Sequence, residues 1–199
     1  MYSTKTATTN NQEFTSSYIP VGINEYITVK EVNINEANGK PFLEIVFENA
    51  QGQTATMTEW KNEKNMWIKT DEDLQNRDNQ QFGRILQVID AVKGKHDEFE
   101  GSSFIEMITW AKQQLATNPS DLGQALRLKI CYNKKGYTRV SNLGIFVEPM
   151  SVKQEESQIK LFKNDLMERP VQPDREDDPL SATAPVTADS NTGADDLPF

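Results

Sequence analysis

The chain of 199 residues predicts a mainly β domain carrying two helices, with a polar tail behind it. Three observations predict this. Between Tyr26 and Trp60, three runs rich in β-branched and aromatic residues are separated by tight-turn signals. Apolar residues then recur twice at helical spacing, between Phe82 and Leu115. Alternation resumes from Ala125 to Val147, and beyond Glu168 Pro, Asp, Ser, Thr and Ala dominate.

Tyr18 to Val21 opens the structured part, and Tyr26 to Ile34 reads as the first strand. Its alternation shifts phase between Val29 and Val32, as a bulge would make it do. Asn38-Gly39 is a hairpin turn, because both positions tolerate positive φ. Pro41 to Glu48 is the second strand, with Leu43, Ile45 and Phe47 on one face. Phe42 falls on the other face. Gln51-Gly52-Gln53 turns the chain into a third strand, Thr54 to Trp60. Lys61 to Gln80 is polar and reads as a loop. Phe82, Ile85, Leu86, Ile89 and Val92 predict a helix that Gly94 is placed to end. Ser103 and Glu106 form a capping box ahead of a second helix through Phe104, Met107, Ile108, Ala111 and Leu115.

Leu126, Leu128, Ile130 and Tyr132 alternate with Arg127, Lys129 and Cys131, which predicts a strand with its cations on the face opposite the core. Asn133 to Gly136 turns it, and Tyr137 to Val140 returns. Ile145 to Val147 ends that strand or forms a short further one. Ser151 to Met167 has a helical flavour, with Ile159, Phe162 and Leu166 recurring. Three strands, helices and two strands is the element order of an OB-fold. The expected architecture is therefore a five-stranded Greek-key barrel with a helical insertion between its third and fourth strands. Its expected limits are a flexible arm over 1–17, the barrel over 18–167 and a disordered acidic tail over 168–199.

Composition narrows the chemistry. The single cysteine, Cys131, excludes an internal disulfide framework and fits a reducing cytoplasm. No apolar run approaches a membrane span, and the N-terminal stretch has no signal-peptide core. There is one histidine, His96, read as a solvated loop residue. No zinc-spaced cluster, phosphate-cradling Gly-rich loop or carboxylate pair stands out, so no cofactor, metal or enzymatic activity is expected.

The net charge is −9, but it is unevenly placed. From Pro170 onward one arginine faces seven acids, a net −6, which leaves −3 for the rest. No acid lies between Asp121 and Glu148, where Arg127, Lys129, Lys134, Lys135 and Arg139 fall. An OB-fold binds oligonucleotides on one face and through its loops, and binding single strands without sequence preference needs cations along a groove and rings on which bases stack. The candidates are Trp60, Lys61, Lys64, Trp67, Arg127, Lys129, Lys134, Lys135, Tyr137 and Arg139. Tyr132 lies in phase with the apolar residues and reads as core, and Trp110 as half-buried on its helix.

The chain ends Asp195-Asp196-Leu197-Pro198-Phe199. This tip resembles that of the bacterial single-stranded DNA-binding protein family, and the acidic, Pro-containing segment before it extends the likeness to about thirty residues. The body looks more like phage-encoded members. That impression rests on Leu128 to Val147, with its Lys-Lys-Gly-Tyr turn and Phe-Val-Glu ending, and on Val21-Gly22-Ile23-Asn24-Glu25. The resemblance implies two kinds of partner: single-stranded DNA on the barrel, and polymerases, primases, helicases or nucleases on the tip. A terminal Phe offers a ring for an apolar pocket and a carboxylate for a cation. Whether copies of the chain assemble is left open. The alternative is an adaptor in a replication complex that binds no DNA of its own.

Overall fold

The structure is a computed structural model that describes residues 16–116 and 122–170. Six strands and two helices follow in order: β1 Gly22–Ala37, β2 Lys40–Glu48, β3 Thr54–Trp60, α1 Asp71–Lys93, α2 Phe104–Ala116, β4 Leu126–Tyr132, β5 Thr138–Val140 and β6 Val147–Pro149. The strands form one antiparallel sheet in the order β3-β2-β1-β4-β5, with β6 also paired to β4. The long first strand makes this possible. Its first half pairs with β4 and its second half with β2.

Local chemistry explains the connections. Asn38 and Gly39 have φ of 55° and 74°, so the predicted hairpin takes the turn that matches strand twist. The register of β1 on β2 shifts between Val29 and Glu31, at the predicted phase break. Gly94 caps α1 with φ of 84° and its N–H returned to Asp90. Glu106 accepts from the Ser102 and Ser103 N–H groups, and Ser103 Oγ accepts from Glu106 N, which closes the predicted box on α2.

Two predictions of local structure need correction. Helix α1 begins at Asp71 rather than near Phe82. Its first three turns are polar and mostly exposed, so they carry no apolar period. The signal is instead a capping box between Thr70 and Asp73, with three acids in the first turn. The 151–167 segment is not helical beyond a single 3-10 turn at Gln154–Glu156. It runs back across the sheet with Ile159 and Asp165 buried, and Tyr132 N donates to Leu166 O at its end.

The core unites sheet and helices. Ile27, Val29, Leu43, Ile45 and Phe47 meet Ile85, Val88 and Ile89 of α1 and Ile108, Ala111 and Leu115 of α2. Leu126, Leu128, Ile130 and Phe146 complete it. Phe47 is fully buried while Phe42 is not, as their opposite faces require. Among the described residues no helix is long and apolar enough to cross a membrane.

Candidate nucleic-acid interface

At the end of β3, Trp60 stacks on Phe42 of β2, directly opposite in the ladder, with ring centroids 4.1 Å apart. The pair sits on the outer face of the hairpin, and Trp60 is 41% exposed. Phe42 thus makes a two-ring platform of a single predicted residue. The following loop is folded around Asn65, whose Oδ1 accepts from the N–H groups of Trp67 and Ile68. Ile68 plugs inward. The same turn pushes Met66 and Trp67 outward, and Trp67 is 81% exposed.

The β4–β5 hairpin is fixed in a similar way. Asn133 Oδ1 accepts from the N–H groups of Lys135 and Tyr137, and Gly136 turns with φ of 78°. Lys134, Lys135 and Tyr137 are left exposed, and neither lysine has an ion pair among the described residues. Arg139 projects from β5, its guanidinium donating among the described residues only to Asn142. Arg169, near the end of the described chain, packs against Gly136 and so brings the chain to this hairpin.

Between β3 and β5 lies a cleft of about 240 Å³, lined by Thr56, Thr58, Arg84, Arg139 and Asn142 among others. Arg84 is locked to Glu59 by two hydrogen bonds of 2.8 and 2.7 Å. It was not predicted, because nothing in its helical position marks it as facing a cleft. A larger cleft of about 520 Å³ lies beside α1 and the start of α2, but of the predicted residues only Lys61 borders it.

Two predicted cations do not reach this surface. Arg127 and Lys129 are buried, the latter completely. Strand β4 is covered on both faces, so its cations point into protein rather than into solvent. Arg127 is held by Glu148 and Glu25, with a 3.0 Å bond from Nε to Glu25. The hydrogen bond with Glu148 outweighs burial and raises its pKa further. Lys129 Nζ donates to Leu143 O, Lys160 O and Asp165 Oδ2 at 2.8 to 2.9 Å, and lies over the Phe162 ring. Burial pushes the Asp165 carboxyl up, but hydrogen bonds from Ser141 and Lys129 outweigh it and hold its pKa below the ordinary value. These two pairs fasten the 143–166 segment to β4.

The remaining predicted residues divide. Lys61 is exposed, while Lys64 is paired with Asp71 at 2.6 Å on a solvated surface where the pair is weak. Tyr132 is half-buried, and so is Trp110, which joins Phe82 and Phe99 in an aromatic cluster. His96 is tied to Asp90 through Nδ1 at 2.7 Å rather than left to solvent. The tip, Asp195 to Phe199, lies outside the described residues.

The outer face of β1 and β2 carries Glu31, Glu44 and Glu48 against Lys30, which bonds Glu48 at 2.6 Å. The outer face of β3 is neutral, a row of Thr54, Thr56 and Thr58 leading to Trp60. Among the described residues no group of three His, Cys, Asp or Glu side chains could hold a metal ion. Compared with protein-family models, curated proteins and solved structures, the chain matches none.

Proposed function

We propose that the protein binds single-stranded DNA on an OB-like, partly open barrel and recruits partner proteins through its acidic C-terminal tip. The observation that carries this reading is the pairing of solvent-facing rings with unpaired cations. Trp60, Trp67 and Tyr137 are exposed, and Lys134, Lys135 and Arg139 have no carboxylate partner among the described residues. Large rings left in water are costly unless something covers them, and stacked bases would do so with little dependence on sequence.

The sheet order supports the barrel. A long first strand shared between β2 and β4, with β3 and β5 at the two ends of the order, is the connectivity of an OB barrel not yet closed by its last pair. Bases would lie against the threonine row and the Phe42–Trp60 platform. Phosphates would follow Lys61, Lys134, Lys135 and Arg139, which keeps them from the carboxylates of β1 and β2. Recruitment through the tip rests on the sequence alone. Ring and carboxylate on Phe199 give a partner two handles, and Asp195 and Asp196 steer it towards basic rims.

One observation favours the adaptor reading, namely the acidic outer face of β1 and β2, which would repel a strand laid directly across it. Equilibrium binding of a labelled thymine oligonucleotide, competed by a duplex of equal length, separates the two. Single-strand binding that duplex does not displace supports the proposal. Absence of binding to either supports the adaptor.

A further inference from the structure

Strand β1 breaks register a second time, between Asn24 and Ile27, where it pairs with β4. Glu25 and Tyr26 occupy the break and leave it in different directions. Glu25 turns onto the buried Arg127 at 3.0 Å. Tyr26 takes a φ of 57° and is 66% exposed. This left-handed conformation is nearly free for glycine and disfavoured for a residue with a bulky side chain. The chain therefore holds a tyrosine where glycine would fit with least strain, and the ring gains no burial in exchange. Bulges commonly re-aim a side chain, and strain of this kind gathers at binding sites.

The ring borders a cleft of about 410 Å³ whose walls include Pro20, Asn24, Asn49, Gln51 and Gln53. Among the described residues no lysine or arginine lines it, and the one carboxylate that does, Glu25, is engaged by Arg127. The side chain of Asn49 is used up in holding the β2–β3 turn, accepting from the N–H groups of Gln51 and Gln53. The Gln51 amide has no partner among the described residues and offers both a donor and an acceptor. Such a site suits an uncharged planar group and has nothing for a phosphate.

We infer that Tyr26 and this cleft form a base-binding position separate from the cationic surface, taking one nucleobase of the strand on the tyrosine ring while its phosphates stay outside. This rests on the single-strand reading above. The cleft lies at the β2–β3 turn, whereas Trp60 stands at the far end of β3, roughly 20 Å away along the strand. A strand touching both would cross the whole hairpin.

The test uses the full chain and a labelled thymine oligonucleotide of ~30 nucleotides, with binding measured by anisotropy over a series of salt concentrations. Tyr26→Ala is expected to weaken binding by about tenfold, the scale of removing one stacked base from its ring. The slope of affinity against salt should not change, because the ring touches no phosphate. Tyr26→Phe keeps the ring and should bind like the wild type. Tyr26→Gly should lose affinity as the alanine variant does while keeping the wild-type thermal midpoint, since glycine removes the strain. Wild-type affinity in both the alanine and glycine variants overturns the inference and leaves the single-strand reading standing. A loss accompanied by a shallower salt slope, or matched by a loss of folded protein in the glycine variant, overturns it too. No binding by the wild type removes both.

Discussion

Lys129 and Arg127 set the terms at the scale of single residues. In an alternating strand they look like the solvated face, yet each is inside the protein with a carboxylate beside it. A buried charge that loses its partner is far more costly than an exposed one. Asp165→Asn leaves the Lys129 ammonium buried against carbonyl oxygens and the Phe162 ring with no counter-charge, and should destabilise the fold by about 3 kcal/mol or more. Urea unfolding measures this, and a change within experimental scatter would contradict the clamp. The same carboxyl predicts an acid limb. Its native pKa is depressed, so its stabilisation is present above the unfolded carboxylate value of roughly 4 and is lost as pH falls through the lower native value. The thermal midpoint should hold at neutral pH and drop in acid, and Asp165→Asn should flatten that drop.

At the scale of elements, the residues that organise loops are those with short polar side chains. Asn65 and Asn133 fold the two segments that present Trp67 and Tyr137, and Thr70 starts α1. Replacing Thr70 with Ala should cost about 1 kcal/mol, with faster amide exchange confined to the first turns of α1. Uniform protection would mean that the cap is not what holds them. On the β4–β5 hairpin, Lys134→Ala with Lys135→Ala should weaken strand binding and make its salt slope shallower by about 0.7 for each phosphate that is no longer neutralised. An unaltered slope would remove the hairpin from the phosphate path.

How much of this was legible follows from what each element buries. The β1–β3 meander, the Val29 bulge and the capping box of α2 were readable because one face is apolar and the turns need particular residues. The start of α1 was hidden because its first turns bury almost nothing, and only Thr70 and Asp73 mark them. Trp60, Trp67 and Tyr137 are exposed, and alternation or loop position alone does not fix how far each ring projects. The burial of Arg127 and Lys129 depends on the 143–166 segment crossing back over β4, a long-range event that alternation within one strand does not encode. Phe42 falls on the face away from the core by alternation alone, but its stacking on Trp60 depends on register.

For the whole molecule the question is where the charge sits. The chain from Pro170 onward carries −6, and Arg169 packs at the hairpin that bears Lys134 and Lys135. An acidic segment tethered beside a cationic surface competes with DNA at high effective concentration. Removing residues 170–199 should therefore tighten single-strand binding at low salt and matter less as salt rises. Unchanged or weaker binding would argue against that competition.

The central claim is that exposed rings on this sheet and its loops receive the bases of a single strand. Its most direct test is a titration of intrinsic Trp fluorescence with a thymine oligonucleotide and, separately, with a duplex, repeated on Trp67→Phe. Quenching by the single strand alone, with part of the signal lost in Trp67→Phe, is the predicted result. Fluorescence that neither nucleic acid alters, in a protein that also fails to shift the oligonucleotide on a gel, would contradict the account.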